Sequence, residues 1–139
     1  MHDNVATPPA LEATFTHVTR QAKPWGYELL FADGRGGYVG KLLHVRAGHS
    51  LSLQFHERKD ETISTLSGTV VLEHGPSADR LSTTTLASGD AVHLPPGTVH
   101  RLTATTDSLL VEASTAESGW RDDVVRLDDL YGRSGTNTP

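Results

Sequence analysis

The chain has 139 residues and a mass of 15.0 kDa, the size of one domain rather than two. It contains no cysteine, which excludes thiolate metal sites, iron–sulfur clusters and cysteine nucleophiles. Its 12 basic and 17 acidic residues give a formal charge of -5, a poor match to nucleic acid or an anionic membrane surface.

Residues 1–20 are polar and interrupted by Pro8-Pro9. They read as a loose arm, with Ala13–Thr19 able to serve as an edge strand. No secretory pattern and no run of ~18 apolar residues is present, so a cytoplasmic protein is expected. Strand-like runs then recur between turn signals: Glu28–Ala32, Tyr38–Arg46, Leu51–His56, Thr62–Leu66, Thr69–His74, Leu81–Leu86, Ala91–Leu94, His100–Thr105 and Leu109–Ser114. Asp33-Gly34 and Ser67-Gly68 read as tight hairpins. A short helical turn is expected near Asp128–Tyr131, and the composition after Gly132 looks frayed. Spacings near ten residues, with threonine and valine in the runs, predict one all-β domain, a sandwich or barrel.

In Leu51–His56 the side chains alternate, so Gln54 and His56 share a face about 6.6 Å apart along the strand. By alternation alone the polar trio Ser52, Gln54 and His56 faces water and Leu51, Leu53 and Phe55 face the core. Two longer patterns give these residues a different meaning. Gly48, Gln54-Phe55-His56, Glu61 and Gly68 form one spaced set, and Gly89, Pro95, Gly97 and His100 form a second. Together they resemble the two signature motifs of the cupin superfamily, with Gln54 where a histidine is usual. The resemblance implies a single-domain cupin, a jelly-roll β-sandwich or barrel over residues 21–133, followed by a tail at 134–139.

A Gln-x-His pair is the form this motif takes in mannose-6-phosphate isomerases. The stretches Lys23–Gly26, Leu51–His56, Pro95–Leu102, Asp123–Arg126 and Tyr131–Arg133 are similar to the C-terminal domain of the type II mannose-6-phosphate isomerase/mannose-1-phosphate guanylyltransferase family. This implies one divalent metal held by Gln54, His56, Glu61 and His100, with His44 and His49 as alternates. Zinc is preferred, and iron, manganese, cobalt and nickel suit the same nitrogen and oxygen donors. Lys41 and His93 are candidates for the general base of an aldose–ketose isomerisation. Arg101 and Arg133 are candidates for holding a phosphate, and Trp25 and Tyr27 for lining the pocket mouth. Each has a plainer reading as a salt bridge, a surface group or packing.

Three functions stay open on the sequence: isomerisation of a sugar phosphate, a secondary-metabolism cupin acting as a polyketide-type cyclase or non-haem dioxygenase, and a non-catalytic sugar or metal sensor. Outer-face pairing, with Leu51, Leu53 and Phe55 as the candidate face, predicts a homodimer. Small-molecule substrates, and neither nucleic acid nor membrane, are the expected partners.

Overall fold

The computed structural model describes residues 12–136. The strands are β1 (Thr19–Lys23), β2 (Gly26–Asp33), β3 (Tyr38–Val45), β4 (Leu53–Phe55), β5 (Glu61–Ser67), β6 (Thr69–Gly75), β7 (Ser82–Ala87), β8 (Ala91–Leu94), β9 (Val99–Ala104), β10 (Ser108–Thr115) and β11 (Val125–Asp128). They form a six-stranded sheet in the order β1-β2-β3-β10-β5-β8 and a five-stranded sheet in the order β11-β4-β9-β6-β7, antiparallel throughout. This is the expected jelly-roll sandwich.

Apolar residues at alternate positions of both sheets meet between them. Leu43, Val45, Ile63, Leu94 and Leu110 come from the larger sheet, and Val70, Leu72, Leu86 and Leu102 from the smaller. These side chains fill one end of the sandwich, and polar ones line a cavity toward the β1–β2 and β11 edges.

Several local readings are corrected. Gly34 does close a β2–β3 hairpin, where the Gly37 amide donates to its carbonyl at 3.0 Å. Ser67-Gly68 does not make a hairpin, because β5 pairs with β10 and β8 while β6 pairs with β7 and β9. The chain crosses from one sheet to the other there. Gly68 has φ 86°, and a Cβ on it would lie 2.4 Å from Ser108 Oγ.

The edge strand begins at Thr19, after residues 12–18 without regular structure, and residues 1–11 lie outside the described part. Near Asp128–Tyr131 the chain makes a single turn and no helix, the Gly132 amide donating to the Asp129 carbonyl at 3.4 Å; β11 occupies Val125–Asp128 and a 3-10 helix occupies Trp120–Asp122. After Gly132 the chain folds back, with the Gly135 amide donating to the Arg126 carbonyl at 2.8 Å.

Candidate metal centre and its cavity

The two sequence motifs meet through the backbone. Gln54 on β4 is the register partner of His100 on β9. The Gly97 amide, in the turn before β9, donates to the His56 carbonyl at 2.7 Å. Glu61 opens β5 in the opposite sheet. This places one ligand atom each of His56, Glu61 and His100 within 4.8 Å of the others, all three residues buried.

The orientation of the two rings is fixed from behind. His56 Nδ1 donates to the Asp123 carbonyl at 2.6 Å, and His100 Nδ1 donates to the Thr98 carbonyl at 2.9 Å. Each neutral imidazole is thereby left with Nε2 as an acceptor, aimed inward. His56 Nε2 lies 3.0 Å and His100 Nε2 lies 3.7 Å from the Glu61 carboxylate. His56 Nε2 and Glu61 Oε2 are buried without a hydrogen bond. Facing lone pairs with no proton between them repel, and a cation reverses that sign. The donor set therefore fits a divalent metal, with His56, Glu61 and His100 as its holders.

Charge around the cluster is ordered. Lys59 Nζ lies 3.4 Å from Glu61 Oε2 and 2.9 Å from Glu112 Oε2, giving a buried carboxylate–ammonium–carboxylate chain. Burial alone would lower the Lys59 ammonium, but Glu112 and Glu61 hold it above its ordinary value. Burial likewise would raise Glu61, yet the Lys59 ammonium beside it leads the groups that hold its carboxyl well below the usual range. Burial pushes His100 down, which favours the neutral ring that a metal requires.

Asp123 fastens this region from outside. Its Oδ1 accepts the Glu57 amide at 2.8 Å, and its Oδ2 accepts the Arg58 and Lys59 amides at 3.0 and 2.9 Å. Burial raises this carboxyl, and the three amides more than offset that, leaving it below its ordinary value.

A cavity of ≈ 190 Å³ opens beside the cluster, reached by Gln54, His56, Lys59 and Glu112 at its inner end. Lys23, Lys41, Arg121, Arg126 and Arg133 also line it, in a protein whose formal charge is -5. Glu28 sits between Lys41 Nζ at 3.4 Å and Lys23 Nζ at 4.0 Å. Burial pushes Lys23 down, Glu28 opposes this, and Lys41, Arg133 and Arg126 push it further down. Arg126 is only 6% exposed, and its Nε is buried without a partner. The Arg133 guanidinium is held by Asp129 at 3.1 Å.

The expected site residues divide by face. Gln54, His56, Lys41, Trp25 and Arg133 line the cavity. Ser52 Oγ donates to Gln54 Oε1 at 2.6 Å, so these two turn inward rather than toward water. Four other assignments are corrected. His93 is exposed on β8 and bonded to Asp60, because Leu94 takes the inward position. Arg101 points away from its neighbour His100 and pairs with Glu73 at 2.8 Å and Asp128 at 3.3 Å. Tyr27 faces away from the cavity that Glu28 lines, stacking on His44 at 4.9 Å between ring centroids. Neither His44 nor His49 joins the metal-ligating cluster, and His49 Nδ1 bonds the Tyr131 hydroxyl at 2.7 Å.

Lys59, Glu112, Glu28 and Arg126 were not anticipated. For Glu112 and Glu28 the available signal was a charged residue inside an apolar strand. For Arg126 it was parity with Val124, which also faces the cavity.

Comparison with known proteins gives the family and the fold. The model of the family described as mannose-6-phosphate isomerase C-terminal matches residues 11–129. Xanthan biosynthesis protein XanB of Xanthomonas campestris pv. campestris is 31% identical over 116 residues, covering 81% of this chain and 23% of its own. Alginate biosynthesis protein AlgA of Pseudomonas aeruginosa is 32% identical over 116 residues, covering 81% of this chain and 22% of its own. The chain thus spans less than a quarter of the length of these relatives.

Among solved structures, the capsular polysaccharide assembling protein CapF of Staphylococcus aureus superposes with a TM-score of 0.70 at 15% identity, covering 81% of this chain and 35% of that one. Oxalate decarboxylase of Bacillus subtilis gives 0.69 at 14% identity, covering 86% and 34%. These two likenesses carry the fold alone.

Proposed function

The chain belongs to the mannose-6-phosphate isomerase C-terminal family, and from that premise we propose that it is a metal-dependent aldose–ketose isomerase of a sugar phosphate, of the mannose-6-phosphate type. The observation that carries this reading is the cation-lined cavity. Lys23, Lys41, Arg126 and Arg133 face the space that Gln54 and His56 also line. Four cations lining one cavity of a net acidic protein are the counterpart of a dianionic ligand group.

His56, Glu61 and His100 would hold the metal, and Gln54 would join them as a fourth donor; zinc suits this set. A bound divalent ion would supply Lewis-acid polarisation of the sugar oxygens. The chain's own residues do the rest. Arg126, Arg133 and Lys23 bind the phosphate, Trp25 packs against the sugar, and Lys41 orients it from the neighbouring strand. The reading also places the protein in the cytoplasm as a homodimer; among the described residues no helix is long and apolar enough to cross a membrane.

Purified protein loaded with zinc, manganese or cobalt should interconvert mannose 6-phosphate and fructose 6-phosphate. Turnover should fall away with a chelator and be far slower on unphosphorylated mannose. Fully loaded protein with no turnover refutes the isomerase. A second reading has support in one feature, since two histidines and a carboxylate also form the facial set of non-haem iron oxygenases. Oxygen consumption by the iron(II) form would favour it, although the arginines lining the cavity suit an apolar substrate poorly.

A further inference from the structure

Glu112 is a carboxylate in a strand whose neighbours are apolar: Leu109, Leu110 and Val111 precede it and Ala113 follows. It is 6% exposed, yet it lines the cavity. Burying a carboxylate is unfavourable unless its charge is matched. The match is concentrated on one oxygen: Lys59 Nζ at 2.9 Å and Ser114 Oγ at 3.1 Å both engage Oε2. The same Lys59 ammonium touches Glu61, so Glu112 stands one ammonium away from the metal-ligating group without being part of it.

The other basic groups near the site are unsuited to accept a proton from carbon. Lys59 is held as an ammonium between two carboxylates. Glu28 has a lysine at each carboxylate oxygen, Lys23 at 4.0 Å from Oε1 and Lys41 at 3.4 Å from Oε2, and Lys41 is itself committed to that pair. His93 is on the outer surface.

Building on the isomerase reading, we infer that Glu112 is the general base that carries the proton between C2 and C1. Its carboxylate takes the C2 proton of the open-chain aldose. The C2–H pair becomes the C1=C2 bond, and the carbonyl π pair moves to O1. The Glu112 carboxyl then returns a proton to C1, the C1=C2 pair accepting it. The O2 hydroxyl proton passes to O1, and O2 keeps its pair as the new carbonyl. No oxidant, reductant or other co-reactant is consumed. Lys59 and Ser114 are positioning residues that hold Oε2 and turn the carboxylate.

The test compares wild type, Glu112→Gln and Glu112→Asp with mannose 6-phosphate in deuterated water. It reads turnover, deuterium entry at C1 and C2 by NMR, metal content by elemental analysis, and the melting temperature. Glu112→Gln should lose both turnover and exchange by roughly 100- to 10,000-fold, with KM and metal content close to wild type. Glu112→Asp, which keeps the charge but withdraws it, should lose at least about tenfold in kcat with KM unchanged, and it decides the matter if the glutamine variant does not fold. Exchange by Glu112→Gln at wild-type rate, full kcat in Glu112→Asp, or loss of metal in step with activity each overturns the assignment while the isomerase reading survives. A loaded wild type that neither isomerises nor exchanges overturns both.

Discussion

An imidazole can offer a metal only the nitrogen that its neighbours leave free. For His56 that choice is made by Asp123, whose carbonyl takes Nδ1 while its carboxylate takes the amides of residues 57–59. Replacing Asp123 with alanine keeps the carbonyl but releases the turn that leads from His56 to Lys59 and Glu61. The expected result is a loss of ~0.5–2 kcal/mol of stability, as for a lost helix cap. Metal affinity should weaken by ~10- to 100-fold, read by competition with a chromogenic chelator. The pH dependence has a definite sign. A carboxyl lowered on folding adds stability above its unfolded value, near 3.8, and loses it as the pH falls through the lower folded value. Wild type and Asp123→Ala should therefore differ at pH 7 and converge in acid, as measured by denaturant unfolding.

At this scale the sequence motifs were informative, because His56, Glu61 and His100 keep fixed spacings that the folded chain brings to one point. Arg101 and His93 were harder to place. Each sits beside an inward residue, so strand alternation turns it outward, and only a known inward neighbour reveals this. Lys59 lies in a turn and has no period from which a direction could be read.

The strands with regular alternation were legible, while the edges were not. β1, with the sequence Thr-Arg-Gln-Ala-Lys, has no apolar periodicity, and β11 is four residues long. Both form by pairing with β2 and β4, a tertiary effect that local propensity does not encode. These two edges carry Gln21, Lys23 and Arg126 to the cavity, so what was least legible includes part of its cation lining.

The β2 register also depends on Gly26, whose partner is Val45. A Cβ at Gly26 would fall 1.9 Å from the His44 carbonyl oxygen, inside the backbone of β3. Gly26→Ala should lower stability by ~1–3 kcal/mol and shift Trp25 and Glu28 with it. A denaturation midpoint equal to wild type would show that β2 can slide without penalty.

Across the whole molecule the apolar surface lies on a different face from the one the sequence suggested. Leu51 packs on the core and lines the cavity, Leu53 is buried and Phe55 half-buried, so this trio offers no free face for pairing. On the larger sheet, Glu28, Leu30, Lys41 and Glu112 point into the cavity, which leaves Leu29, Phe31, Leu42 and Val111 on the outer side. Phe31 there is 50% exposed. If the protein pairs, this is the face that excludes water. Light scattering after size exclusion should then give twice the monomer mass for wild type and the monomer mass for Phe31→Glu, with the melting temperature nearly preserved. A monomeric wild type across a range of concentrations would refute the pairing.

The Glu112–Lys59–Glu61 chain also constrains how such a protein can drift over generations. Losing the lysine alone would strand two like charges beside each other in a buried site, whereas losing one acid leaves a balanced pair between the lysine and the other. The order of change over generations is therefore constrained: the lysine cannot be the first of the three to go, and an acid must leave before it or with it.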